Sequence, residues 1–200
     1  MINLARSDLV PKQLAKYLGM SIDSAEARIR PIDSRIDKFR EVSAQFLAVP
    51  EPPARLWQIV LSPMASLERL VPFGRIRMRS LQFRLREFWS PESDLPTQPV
   101  PLDPAVVEDL TWWRDAGNLR RGVPMSSPPP EMLLCTDASK VGWGAHLLDL
   151  FVSGVWTEDE RHLHINVLEM RAVLLALQSF QGQLWGHHVG LMSDNSTVVA

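Results

Sequence analysis

MLLCTDASKVGWGAHLLDLFVSGVWTEDERHLHINVLEMRAVLLALQSFQGQLWGHHVGLMSDNSTVVA, residues 132–200, is the stretch on which the rest of the chain depends. Its first apolar run, Met132 to Cys135, reads as a buried strand that ends at Asp137. Val141 to Leu148 and Phe151 to Trp156 follow as two strand-like runs separated by Asp149 and Leu150, which predicts an antiparallel meander. Gly142 and Gly144 bracket Trp143 and suggest a close backbone approach. Asn166 reads as an N-cap with Glu169 in capping-box position. Val173, Leu174, Leu177 and Phe180 then form the expected inward stripe of a helix that Gly182 stops. A second short apolar run, Val189 to Met192, precedes Asp194 and a helix start. Two strand ends and one helix can therefore bring Asp137, Glu169 and Asp194 together, and clustered carboxylates favour a hard divalent cation. Singly, each acid also fits a turn, a capping box or a helix cap.

In their order and wording, TDAS, GWGA, HINVLEMRAV, ALQSF and SDNSTVVA resemble the ribonuclease H domain of retroelement reverse transcriptases, with the DIRS-type elements most alike. The resemblance implies an α/β fold: a ribonuclease H-like mixed sheet at the C-terminal end. It also implies that Asp137, Glu169 and Asp194 hold two Mg²⁺ ions, with Mn²⁺ as a substitute, about 3.5–4 Å apart across a scissile phosphate. Asp137 is expected to bridge the ions. The family's fourth acidic residue has no counterpart before Ala200, so an uncovered sheet edge and weak stability of the isolated chain are expected. The implied substrate is the RNA strand of an RNA–DNA hybrid, with Ser139, Asn166, Asn195 and main chain near Gly142–Gly144 as contacts. The implied partner is the remainder of a polyprotein polymerase.

Upstream, KYLGMSIDSAEARIRP reads as a strand from Lys16 to Asp23, a turn at Ser24 and Ala25, and a return strand. It resembles the primer-grip hairpin at the end of a reverse-transcriptase palm, which assigns residues 1–31 to that segment. Asp33 is expected to cap a helix with Ile36, Phe39, Val42 and Phe46 inward. A second helix over 54–70, with Leu56, Ile59, Val60, Leu67 and Leu70 inward, is kinked at Pro63. These match the family's thumb in position and length, giving a mostly helical thumb and connection region over 32–125. Val71 to Trp89 alternates five arginines with apolar residues. Arg75, Arg79 and Arg86 are candidates for a phosphate-backbone track, the alternative being a solvated face with snorkelling side chains. Asp103 and Pro104 read as N-cap and N1 of a further helix with Val107, Leu110 and Trp113 inward, ended by Gly117 or Gly122. Ser126 to Pro130 is a stiff linker, and residues 131–200 form the last, incomplete domain.

Composition sets the outer bounds. The chain has 46% hydrophobic residues and a net charge of −2, with no apolar run of membrane-spanning length. Residues 1–130 hold 18 Lys+Arg against 15 Asp+Glu, and residues 131–200 hold 3 against 8, a basic arm beside an acidic module. The single cysteine, Cys135, excludes disulfide and zinc frameworks and is expected in the core. The N-terminus lacks a signal-peptide core, so an intracellular, cytoplasmic or nuclear protein without membrane association is expected. His162 and His164, and His187 and His188, lack a third ligand for a metal site, and the latter pair is expected to be exposed. No palm aspartate pair occurs, so polymerisation by this chain is excluded. Two other functions stay open: a repurposed, catalytically inactive fragment that only binds nucleic acid or a protein partner, and an actin- or sugar-kinase-like ATPase. The latter needs Gly-rich phosphate hairpins that Asp137 to Gly144 supply poorly.

Overall fold

In the computed structural model, residues 10–199 are described, and they fall into two compact units divided between Ser126 and Ser127. In the first unit, β1 (Leu14–Tyr17), β2 (Met20–Asp23) and β3 (Arg28–Pro31) form an antiparallel sheet with β4 (Val123–Pro124) at its edge. The expected strand from Lys16 to Asp23 is in fact two strands. Tyr17 pairs with Met20 across Leu18 and Gly19, both at positive φ (47° and 77°), the two-residue turn that matches strand twist. Leu18 hides this turn because a leucine rarely takes that conformation.

Five helices build the core of this unit: α1 (Asp33–Leu47), α2 (Ala54–Leu67), α3 (Arg79–Phe88), α4 (Pro104–Arg114) and α5 (Ala116–Arg120). Ile36, Phe39 and Phe46 of α1 meet Trp57, Val60, Met64 and Leu67 of α2, and Leu110 and Trp113 of α4 join the same cluster. Phe46 and Trp57 pack edge to face at 5.0 Å, and Phe39 and Trp113 lie 5.5 Å apart. Each such buried side chain contributes roughly 1.5–3 kcal/mol.

Several boundaries and faces differ from expectation. Asp33 is the first residue of α1, not its cap; Ile32 is the cap, and Asp33 pairs with Arg120 at 3.0 Å. On α2, Trp57 and Met64 turn inward while Ile59 is exposed, and the helix stops at Leu67. On α4, Val106 is buried and Val107 exposed. Gly117 lies inside α5, and Gly122, at φ +65°, follows it. Asp103 does cap α4, its Oδ1 accepting from Val106 N at 2.8 Å. Asp103→Ala is accordingly expected to cost about 1 kcal/mol, read as a lower urea midpoint at unchanged m-value.

In the second unit, β5 (Met132–Ala138), β6 (Gly142–Leu147) and β7 (Leu150–Val155) form the antiparallel meander, and β8 (Val189–Met192) adds parallel to β5. The resulting mixed sheet has the order β7-β6-β5-β8. α6 (Glu158–Arg161), α7 (Ile165–Ser179), α8 (Gln181–Leu184) and α9 (Ser196–Val199) complete it. Of the two glycines around Trp143, only Gly142 marks a close approach: a Cβ there would sit 2.4 Å from Gly154 O, whereas Gly144 faces open space.

α7 packs against β5 and β6, but its inward face is Leu168, Ala172, Ala176 and the capping residue Phe180. The predicted stripe is rotated: Leu174 and Leu177 are exposed, since small alanines let the helix approach the sheet where bulkier leucines cannot. The helix ends at Ser179, so Gly182 belongs to α8. Along β5, Leu134 and Thr136 are buried, while Leu133, Cys135 and Asp137 alternate with them toward the opposite surface. Cys135 is thus half-buried on the open face, not a core residue. His187 and His188 are exposed, and His187 Nδ1 lies 2.6 Å from Glu131 Oε2.

Candidate functional site

Three elements of the second unit deliver acidic side chains to one place. Asp137 stands at the C-terminal end of β5, Asp194 two residues beyond β8, and Glu169 on the second turn of α7. One carboxylate oxygen from each lies within 4.8 Å of the others. Asp137 and Asp194 are exposed, whereas Glu169 is 4% exposed. Among the described residues, no arginine or lysine forms an ion pair with any of the three, although nine arginine–carboxylate pairs occur elsewhere.

Burial pushes the Glu169 carboxyl above its ordinary range, and the nearby charges of Asp137 and Asp194 push it further. The Ala138 N–H, donated to Glu169, opposes this only in part. Glu169 Oε2 is buried and has no hydrogen-bond partner. A buried oxygen without a donor, beside two more carboxylates without a counter-charge, fits a hard divalent ion. These three residues are the donor set that would hold it.

Local structure around the cluster departs from the predicted caps. His164 is the N-cap of α7, its Nδ1 accepting from Asn166 N at 3.2 Å, so Glu169 is not a capping-box residue. Asn166 instead spends its side chain on a tie between elements. Asn195 Nδ2 donates to Asn166 Oδ1 at 3.1 Å, and Asn166 Nδ2 donates to Thr197 Oγ1 at 3.0 Å. Asn195 Oδ1 accepts from Thr197 N at 2.9 Å. The first turn of α7 is thereby fastened to the segment that carries Asp194. Ser139 Oγ serves the β5–β6 turn, accepting from the Val141 and Gly142 N–H groups. Sequence reading missed both His164 and the tie, because neither capping by imidazole nor a pairing 29 residues apart has a local signal.

In the first unit, Arg75, Arg79 and Arg86 are exposed. Arg79 donates to Gln82 Oε1 at 2.8 Å. Arg77 and Arg84 are structural: Arg77 pairs with Asp109 at 3.0 Å, and Arg84 lies 4.1 Å from the Phe88 ring while pairing with Glu87 at 3.1 Å. Within 71–89, a 3₁₀ turn at Ile76–Met78 precedes α3.

Residues 127–200 match the profile of the family described as the RNase H-like domain found in reverse transcriptase. Over these residues, well under half of its length, the chain is similar to that family. Among solved structures, the chain is similar to the foamy viral protease-reverse transcriptase in a complex with double-stranded DNA, at 13% identity and a TM-score of 0.46 over 90% of this chain and 30% of that one. It is also similar to the same foamy viral protein with an RNA/DNA hybrid, at 12% identity and a TM-score of 0.46 over 90% of this chain and 24% of that one. The chain spans less than half the length of either. No curated protein sequence matches it. Among the described residues, no helix is long and apolar enough to cross a membrane.

Proposed function

We propose that the second unit hydrolyses the RNA strand of an RNA–DNA hybrid, using divalent cations held by Asp137, Glu169 and Asp194. The observation that supports this most directly is the buried, partnerless Glu169 Oε2 beside two exposed carboxylates. Two magnesium ions, when bound, supply a water activated for in-line attack and charge stabilisation of the departing 3′ oxygen. The chain's own contribution is placement. β5 presents Asp137 at the surface, α7 holds Glu169 dry, and the Asn166–Asn195 tie holds Asp194 near both. Residues 1–31 and 32–125 are proposed to be the end of a polymerase palm and its thumb and connection region. There Arg75, Arg79 and Arg86 are offered to phosphates. The DIRS affiliation and a hybrid as partner belong to the same proposal, as do Ser139, Asn166 and Asn195 as substrate contacts.

The test is cleavage of a labelled RNA strand in a hybrid, compared with the same strand single-stranded or paired with RNA. Cleavage confined to the hybrid, dependent on Mg²⁺ or Mn²⁺, is the expected result. Hybrid binding without any cleavage would favour the repurposed binding fragment instead. Removing the tie should weaken the metal site without removing a ligand. Asn195→Ala is expected to lower Mg²⁺ affinity about tenfold, measured by calorimetric titration.

A further inference from the structure

β7 is an outer strand of the second sheet, and among the described residues no strand lies beyond it. One step past the Gly142–Val155 pair, Trp156 N donates to Val141 O at 3.0 Å. Opposed residues of an antiparallel pair alternate between bonded and non-bonded. Leu150, Val152 and Gly154 therefore bond inward to β6, while Phe151, Ser153 and Val155 turn their N–H and C=O groups outward. Val152 packs toward the core beside Ala176 and Phe180, so the side chains of these three stand on the open face. There Phe151 is 79% and Val155 70% exposed.

Sheets block stray pairing at their edges with charge, proline, a bulge or a covering helix. β7 has none of these. Its sequence, LFVSGV, carries no charge and no proline. Its register with β6 runs without a bulge, and α7 packs over β5 and β6. The outer strand of the first sheet, β1, by contrast carries Lys16.

The outward residues are also complementary to themselves. When two copies of β7 lie antiparallel with Ser153 opposite Ser153, Phe151 falls opposite Val155. All three outward residues then exchange both backbone bonds with a residue of the other strand. A slip in either direction leaves one of them opposite a residue outside the strand. Aromatic beside β-branched, and hydroxyl beside hydroxyl, are favoured cross-strand pairs. On the other face Val152 falls opposite Gly154, over which the Trp143 indole lies: a Cβ there would sit 2.6 Å from Trp143 Nε1. The two β6 strands would stand about 14 Å apart, more than the ~10–12 Å diameter of a helix, so the two α7 helices do not collide.

We propose that β7 pairs antiparallel with β7 of a second copy of this chain, about a twofold axis at Ser153, joining the two sheets into one. A pairing of this span buries less than a standard interface of ~1,200 Å², so the dimer is transient, with a Kd on the order of 10–100 μM. It uses none of the three acidic residues and stands whether or not the chain cleaves hybrids.

Sedimentation of the full chain over a concentration series tests it, and a reversible monomer–dimer equilibrium is expected. Ser153→Lys puts like charges directly opposite at the axis and should weaken the dimer at least about tenfold. Circular dichroism reports whether that variant keeps its sheet. Register is read separately in a Cys135→Ala background. There Ser153→Cys should form an intermolecular disulfide on mild oxidation, because bonded opposed residues have Cα atoms about 5.5 Å apart, inside the disulfide range. Leu174→Cys, exposed on α7, is the control and should cross-link at least about tenfold more slowly. A chain that stays monomeric at about 1 mM would overturn the proposal. So would a dimer that folded Ser153→Lys does not weaken, or one in which Ser153→Cys cross-links no faster than the control.

Discussion

Asp137→Asn is expected to lower Mg²⁺-dependent cleavage of an RNA–DNA hybrid by at least about 10³-fold, equivalent to ~4 kcal/mol of transition-state stabilisation. The substitution keeps shape and removes one charge from a cluster whose oxygens lie within 4.8 Å of each other. Asp137 is exposed, so the loss would not be a packing effect. Comparison of single-turnover rates, with melting curves run in parallel, separates the two. Equal rates in parent and variant would refute the assignment of Asp137. Glu169→Gln and Asp194→Asn should fall in the same range, and their combination should cost far less than the sum, because the three act as one unit.

Glu169→Gln should also stabilise the metal-free protein at neutral pH. Like charges about 4.8 Å apart repel by on the order of 3 kcal/mol at an effective dielectric constant near 20. Exposure of the two aspartates weakens this. Because the folded state holds the Glu169 proton to higher pH than the unfolded chain does, the cost of ionising it has a defined window. Below the ordinary carboxylate range it is absent, it grows as pH rises toward the folded value, and above that it is fully present. A gain of about 1 kcal/mol in Glu169→Gln at pH 7.5 would raise Tm by ~4–8 °C for a unit of this size, and the gain should vanish near pH 4. Added Mg²⁺ should raise the Tm of the parent more than that of the variant. Coincident melting of the two proteins at pH 7.5 without metal would contradict the burial argument.

Much of the second unit was legible beforehand. The meander, the helix bearing Glu169 and the strand before Asp194 follow from apolar runs bounded by turn residues, which are local signals. Asp103 with Pro104 announced the start of α4 for the same reason. The trio of acids was legible as a set because each sits at or near the end of a regular element. Misreadings cluster where the deciding partner is distant in sequence. The inward face of α7 was misjudged because Ala172 and Ala176 are buried for closeness to the sheet rather than for apolar bulk. Arg77 reads as a free cation until Asp109 of α4 is placed beside it.

By itself, then, the sequence determined the order of strands and helices in the second unit and the acids at their ends. Hydrogen-bonding and apolar periodicity act over a few residues and are written in the chain. Only the tertiary structure decided that Glu169 is dry, that Asn166 bonds Asn195, and that β7 is an outer strand with Phe151 and Val155 exposed. Those facts depend on which strand lies beside which and which face a helix covers, and residues far apart in sequence set both.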